Sequence, residues 1–318
     1  MSMIYKGEVV ETELSKNSKG GTEMMRKRLL DTIQPELLKG YAIHFSRPRD
    51  IPEDVKNILY CHDLAEDPEN KILVDKGWTK FDHFVFVSSW QRDQYIAYFG
   101  IPYSRCSVIP NAIEKRYEAE EKNTQTIRFV YHTTPHRGLE LLVPAFDALT
   151  KEYDNIHLDV YSSFGIYGWP QRDEPYAKLF KQIEDHPKMT NHGNVSNKEV
   201  LEALDRSHIF LYPNIWKETS CIALIEAIRS GLICIHPNYG ALPETAASAT
   251  VMYDHTEDPT KHASIAYAVT KSVLEAQKND PQFFNRFTRS DKFGLVANDI
   301  DSFANLWTKI LREKAVTE

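Results

Sequence analysis

Cysteine is scarce in this chain. Cys61, Cys106, Cys221 and Cys234 lie scattered, with no Cys-x-x-C pair. That spacing excludes a disulfide framework and a cysteine-based zinc or redox motif, and the four read as reduced residues of a cytoplasmic protein. Long hydrophobic runs are also missing: none approaches the roughly 18 residues that span a bilayer. Net positive charge is absent too. The formal balance is −7, whereas a surface that follows nucleic-acid phosphates needs the opposite sign. Internal repeats and low-complexity tracts do not occur, and Met1-Ser2-Met3-Ile4-Tyr5-Lys6 has no signal-peptide pattern. The expectation is a cytoplasmic protein with no nucleic-acid partner.

What is present is enough apolar material for two cores: 42% hydrophobic residues over 318 positions, long for one domain and comfortable for two. From Thr126 onward, short apolar runs alternate with helical patterns. Strands are expected over 127–132, 156–161, 190–193, 208–212, 232–236 and 250–253. Helices are expected over 139–152, 174–185, 197–205, 220–230 and 260–277. Such alternation marks a doubly wound parallel sheet. The polar stretch 115–126 reads as a linker. Before it, a shorter α/β region has strands expected over 42–45, 57–61, 83–88 and 106–109 and helices over 23–33 and 89–99. The segment 291–314 reads as helical, with Phe303, Leu306, Trp307, Ile310 and Leu311 at core spacing.

The most informative stretch is Lys217-Glu218-Thr219-Ser220-Cys221-Ile222-Ala223-Leu224-Ile225-Glu226. It joins two apolar strands, with Thr219 or Ser220 placed to cap a helix and Gly231 placed just past its end. Ligands of α/β sheets bind at strand carboxyl ends, opposite helix N-termini. Eight helical residues would separate Glu218 and Glu226 by about 12 Å, roughly the reach from a sugar ring across a diphosphate to a ribose. Two glutamates on one helix are more often a solvated face, but Glu218 follows a Pro-Asn-Ile-Trp loop directly after a buried strand.

Several blocks stand in order: Lys19-Gly20-Gly21-Thr22-Glu23, Val87-Ser88-Ser89-Trp90, Val108-Ile109-Pro110-Asn111-Ala112-Ile113, Arg137-Gly138-Leu139-Glu140-Leu141-Leu142, His192-Gly193-Asn194-Val195-Ser196, and Glu218 to Glu226 followed by Ser230-Gly231-Leu232 and Gly240-Ala241-Leu242-Pro243-Glu244. Together they resemble the retaining GT-B glycosyltransferases of family 4. The resemblance implies an α/β fold of two Rossmann-like domains facing a central cleft, with a short N-terminal domain. Residues 1–118 would form the acceptor-side domain, 119–290 the nucleotide-sugar-binding domain, and 291–318 a C-terminal helix returning to the first domain. It implies transfer of a hexose from a UDP- or GDP-sugar to a sugar or other small acceptor, without a cofactor beyond the donor substrate.

By that resemblance Glu218, His62 and Arg137 are catalytic. Gly20, Gly21, Thr133, Thr134, Arg137, Val195, Thr219, Ser220, Cys221 and Glu226 bind the donor: Arg137 at the diphosphate, Glu218 at sugar hydroxyls, Glu226 at the ribose, Val195 at the base, and His62 at the donor sugar. The only Asp-x-Asp match, Asp299-Ile300-Asp301, falls in the C-terminal helix, so metal independence is expected, with Arg137 and the helix dipole in the metal's place.

Two departures stand out. The family's Gly-Arg before the "KG" block is replaced by His132-Thr133-Thr134-Pro135, which removes a cation that Lys217 is placed to restore, and Ala112 replaces the glycine of "PNG". Alternatives remain: a nucleotide-sugar-binding protein without turnover, a sugar-nucleotide epimerase, and membrane-surface contact through Met24-Met25-Arg26-Lys27-Arg28-Leu29-Leu30. His132 and His136 have helical metal spacing, broken by Pro135. Tyr167 and Trp169 follow a strand, where sugar stacking and loop packing are both open.

Overall fold

Two six-stranded sheets organise the chain. The computed structural model describes residues 2–11, 20–114, 122–285 and 297–315. Its contacts group Met1–Lys115, Glu218–Ile222 and Val296–Glu318 into one unit, and Arg116–Lys217 with Ala223–Leu295 into a second. Lys19, most of the expected linker and the start of the expected C-terminal helix lie outside the described residues.

In the first unit, β3 (Tyr41–Phe45), β4 (Lys56–Cys61), β5 (His83–Phe86) and β6 (Cys106–Val108) run parallel. A hairpin of β1 (Ser2–Tyr5) and β2 (Glu8–Glu11) extends the sheet by antiparallel pairing of β1 to β3. The sequence pattern did not show this hairpin. Its turn is Lys6–Gly7, both at positive φ, the geometry that two-residue hairpins need.

Side chains alternate across the sheet. Ile58, Tyr60 and Val85 enter one core with Met25, Leu29, Phe303 and Trp307. Leu59, Cys61, Phe84 and Phe86 enter the other with Leu73, Phe81 and Tyr95. This period of two is that of a strand buried on both faces. Covering helices are α1 (Gly21–Thr32), the short α2 (Pro35–Leu38), α3 (Ser89–Phe99) and, at the C-terminal end, α10 (Ile300–Ala315).

Met25 and Leu29 of α1 are buried, and Met24 and Leu30 pack against the same core. The apolar side of α1, the segment of the membrane-contact alternative, thus packs at least in part on this core, while Arg28 donates to the Ala112 carbonyl. Trp307 packs edge-on against Tyr60 at 5.0 Å. Leu306, expected in the core, is 36% exposed, because it falls at the margin of the apolar stripe.

The second unit holds β7 (Ile127–Tyr131), β8 (Ile156–Val160), β9 (Met189–Asn191), β10 (Ile209–Leu211), β11 (Ile233–Pro237) and β12 (Val251–Tyr253), all parallel, in the order β12-β11-β10-β7-β8-β9. Renumbered from β7, this is the doubly wound order 6-5-4-1-2-3, whose direction reverses between β7 and β10. Its helices are α4 (Leu139–Thr150), α5 (Ala177–Asp185), α6 (Asn197–Arg206), α7 (Ile222–Arg229), α8 (Leu242–Ala246) and α9 (Pro259–Asn279). Right-handed crossovers place α4 and α5 on one face and α6 and α7 on the other, and α4 packs on α5 and α9.

In this unit two helix starts fall two or more residues from expectation. The segment Pro170–Tyr176 is a 3-10 turn, so α5 starts at Ala177 rather than 174. Pro175 lacks an N–H and disfavours helical geometry at Glu174. The helix before Gly231 starts at Ile222, so Glu218 to Cys221 are not helical. Gly231 does follow the helix at φ +75°.

Candidate functional site

The loop after β7 is built against the loop after β10. Gly138 sits at φ +114°, and a Cβ there would stand 2.1 Å from the Pro213 carbonyl oxygen. Only glycine fits that contact and that backbone. The close approach joins the two strand ends that flank the sheet's reversal, where doubly wound sheets take their ligands. Asn214 shapes the second loop: its side chain donates to the Trp216 carbonyl at 2.6 Å and accepts from the Trp216 N–H at 2.9 Å.

Along the first loop, Pro135–Arg137 forms a 3-10 turn that ends at Gly138. Arg137 is half-buried at its close rather than inside α4, and its N–H donates to Thr134 O at 3.2 Å. Thr134 is buried and accepts the Tyr131 hydroxyl on its carbonyl at 3.0 Å. Its own Oγ1 is buried without a hydrogen-bond partner among the described residues, as are Nδ1 of His136 and Oγ of Ser162, just past β8. A buried unsatisfied polar atom costs about 1–3 kcal/mol. Three lie at neighbouring strand ends, with bonding capacity that a polar ligand could fill. Thr134 was expected. Ser162 was not singled out in the sequence, where its signal is only a polar residue just after a strand, and His136 was noted only for its spacing from His132.

His132 stands where the resemblance calls for a second cation. Its Nε2 meets the Ala223 carbonyl at 3.1 Å, and its ring lies 4.7 Å from Phe210. Burial pushes its pKa down to about 4, so it carries no charge at neutral pH. His136 is held down to about 4 by burial and by Arg137 and Arg172. Lys217 is exposed. Among the described residues, no three His, Cys, Asp or Glu side chains cluster as metal ligands.

On the α6 and α7 side, Glu226 is buried at 4% exposure and accepts from Asn197 Nδ2 at 3.4 Å. Asn197 opens α6 behind a capping box of Ser196 and Glu199. The structure thus brings Glu226 beside the segment that follows Val195. Asn197 had no sequence signal beyond its place at a helix start.

The first unit gathers the other expected residues. Gly20 caps α1, which starts at Gly21, two residues before the expected start. A Cβ on Gly21 would stand 3.0 Å from Cδ1 of Ile222. Thr219 does not cap the following helix with its hydroxyl. It donates instead to the His62 carbonyl at 2.8 Å, and its own carbonyl accepts from Ser88 Oγ at 2.6 Å. The segment Glu218–Ile222 is therefore fastened at the carboxyl ends of β4 and β5. Glu218 and Cys221 are buried, and Ser220 is half-buried.

His62 lies 4.2 Å from Tyr60 and stacks at 6.4 Å on Phe45. Its Nε2 is buried without a hydrogen-bond partner among the described residues. Burial drives its pKa to about 3, so it is neutral and offers a hydrogen bond rather than a charge. Nearby, Arg47 pairs with Asp63 at 2.8 Å and with Asp67 at 3.0 Å. Ser88, whose Oγ also caps α3 by accepting from the Gln91 N–H at 3.0 Å, was missed as a tether for Thr219. Asp299 and Asp301 stand at the start of α10, with Asp299 bridged through its backbone to Ile113.

Two parallel-sheet α/β units, the second with its reversal point lined by such groups, define a GT-B fold. The pneumococcal O-GlcNAc transferase GtfA, solved in complex with UDP and GlcNAc, shares it: TM-score 0.62 at 13% identity, covering 82% of this chain and 53% of that one. Residues 111–280, more than half of the chain, match the family Glycosyl transferases group 1, and the chain belongs to that family.

Among curated proteins, the chain is similar to the phosphatidylinositol N-acetylglucosaminyltransferase gpi3 subunit of Schizosaccharomyces pombe. The two are 21% identical over 194 residues, which is 59% of this chain and 41% of that protein. A phosphatidylinositol N-acetylglucosaminyltransferase subunit of Homo sapiens is 23% identical over 167 residues, 51% of this chain and 33% of that protein. The chain thus spans well under half the length of these relatives.

Proposed function

We propose that this chain transfers a sugar from a nucleoside-diphosphate donor to a hydroxyl acceptor with retention at the anomeric carbon. The observation that supports it most is the Gly138–Pro213 closure at the sheet reversal, with Arg137, Thr133 and Thr134 on the loop beside it. Glycosyl transfer builds positive charge on the sugar ring and negative charge on the leaving diphosphate, and fixed donors aimed at the diphosphate lower that barrier.

On this reading Arg137 clamps the diphosphate with a planar guanidinium, and the Thr133 and Thr134 hydroxyls add donors. Glu226 takes the ribose hydroxyls and the Val195 backbone meets the base. In the first unit, Glu218 and the neutral His62 are assigned to sugar hydroxyls, and the backbone of Gly20, Gly21, Thr219, Ser220 and Cys221 to anionic oxygens. The bond from the anomeric carbon to the diphosphate oxygen breaks as the acceptor oxygen bonds on the same face. The acceptor proton passes to the departing oxygen. No metal is assigned a role; Arg137 and the dipole of α7 balance the charge.

UDP-N-acetylglucosamine is the first donor to test, since the curated relatives are named N-acetylglucosaminyltransferases and GtfA was solved with UDP and GlcNAc. A thermal-shift panel of UDP-, GDP-, ADP- and TDP-sugars, with and without EDTA, followed by a hydrolysis assay, tests the reading. The expected result is a selective shift with slow release of free sugar, unchanged by EDTA. No shift with any nucleotide sugar sinks the proposal, and a steep loss of activity in EDTA sinks its metal-free part.

One observation favours a second reading, donor binding without turnover. The position of the second cation holds His132, neutral at physiological pH. A thermal shift with no hydrolysis and no transfer across an acceptor screen would establish that reading in place of the first.

A further inference from the structure

The loop between β8 and α5 carries chemistry that donor binding leaves unused. Trp169 is 39% exposed there, and Trp216, on the loop after β10, is 43% exposed. Beneath them His136 stacks on Phe164, at 5.1 Å and 18°, and meets Trp216 edge-on at 4.9 Å and 82°. The guanidinium of Arg172 lies over both Phe164, at 5.5 Å, and Trp169, at 5.2 Å. Trp169, Gln171 and Arg172 line an open depression of about 350 Å³. The depression is largely open to solvent, so a sugar ring there would be held by contact on one face.

Arg137 and Arg172 both help to hold the His136 pKa down. Asp173, next in sequence, is engaged by the loop: its carboxylate accepts from the Ser163 hydroxyl and from the Phe164 N–H at 2.8 Å. Among the described residues no carboxylate pairs with Arg172. An indole face presents a flat, electron-rich surface to the C–H face of a pyranose, and a guanidinium fork matches a carboxylate or phosphate. The platform spans the carboxyl ends of β10, β7 and β8 on the side of α4 and α5, whereas Glu226 and Asn197 lie on the side of α6 and α7.

We infer that this platform binds a saccharide bearing an acidic group, its ring on Trp169 and its acidic group on Arg172. The saccharide site stands on the platform alone and does not depend on the transferase reading. The acidic group is a carboxylate or a phosphate, and the test separates the two.

Saturation-transfer NMR and tryptophan-fluorescence titration of the full chain, without nucleotide, would use three probes: a glucuronate-containing disaccharide, glucose 6-phosphate and the neutral disaccharide cellobiose. The expected result is saturation of ring C–H protons for at least one acidic probe, lost in Trp169→Ala. Arg172→Gln weakens that acidic probe about tenfold, the scale of one charge-assisted hydrogen bond, and leaves cellobiose unchanged. Both substitutions fall at exposed loop positions, and unchanged circular dichroism and an unchanged nucleotide-sugar thermal shift would show that fold and donor site are intact. No saturation with any probe, or saturation that survives Trp169→Ala, overturns the site. Equal binding of acidic and neutral probes in the wild-type chain overturns the acidic-group assignment. The nucleotide-sugar shift reads the donor proposal separately, so either can fail without the other.

Discussion

The two α/β units use the same strand-and-helix grammar and differ in how their sheets are ordered. The second unit is wholly parallel and reverses direction between β7 and β10, so its own loops diverge there and leave room for polar groups. The first unit's parallel strands follow one another in sequence order, β3-β4-β5-β6, with no reversal among them, and an antiparallel hairpin fills the flank. Its carboxyl edge is joined by a segment distant in sequence, Glu218–Ile222, held by the His62 carbonyl and the Ser88 hydroxyl. A reversal lets a unit build a site from its own loops; without one, a carboxyl edge gains functional groups by recruiting a remote stretch of chain.

Acidification should separate the units most strongly. The first unit holds His44, His62 and His83 below the usual histidine pKa. The second holds His132, His136, His208, His236 and His262, each near 4. Burial is the leading cause in every case. A folded pKa below the unfolded value of about 6.5 means that the unfolded chain takes up the protons. This contribution to stability is therefore complete above about pH 6.5 and is lost as the pH falls toward 4, at about 1.4 kcal/mol per pH unit for each proton taken up. Hydrogen exchange from pH 7 to pH 4 should show the second unit opening first. Loss of protection in the first unit before the second would break the comparison.

Arg137→Ala and Glu218→Ala place one deletion in each unit. Each is expected to cut turnover at least about a hundredfold, close to 2.7 kcal/mol of barrier, measured as kcat with the donor found in the thermal-shift panel. Near-wild-type turnover in both would remove the site assignment.

Gly138→Ala is expected to destabilise the second unit by about 2 kcal/mol, the scale of a non-glycine residue forced into an unfavourable backbone region against a carbonyl. Thermal unfolding of the variant would check this, and an unchanged transition would mean that the Pro213 contact is not tight. Thr219→Val is the mildest test. Losing its hydrogen bond to His62 should cost about 1 kcal/mol and should raise local hydrogen exchange around 218–222 without affecting the second unit's sheet.

The second unit was almost entirely legible in the sequence. Its strands are continuous apolar runs such as Ile209-Phe210-Leu211, and helices such as α6 announce themselves with a Ser196–Glu199 capping box. The hairpin of the first unit was not, because Glu8, Val9 and Val10 are all exposed and show no buried-exposed alternation. The start of α7 was placed too early because Thr219 is a good cap by type, whereas in the structure its hydroxyl is drawn to the His62 carbonyl and residues 218–221 are not helical.

The sequence by itself determined the two α/β units, the loop residues at the strand ends, and the family blocks. Local propensity and hydrophobic period are written along the chain, and these features need nothing more. Only the tertiary structure decided that His132 and His62 are neutral, that Gly138 is pinned to Pro213, that Glu226 meets Asn197, and that Trp169 and Arg172 share one exposed platform. Burial, charge state and contact between remote residues depend on three-dimensional neighbours, and strand order, which no single-chain periodicity records, chooses those neighbours.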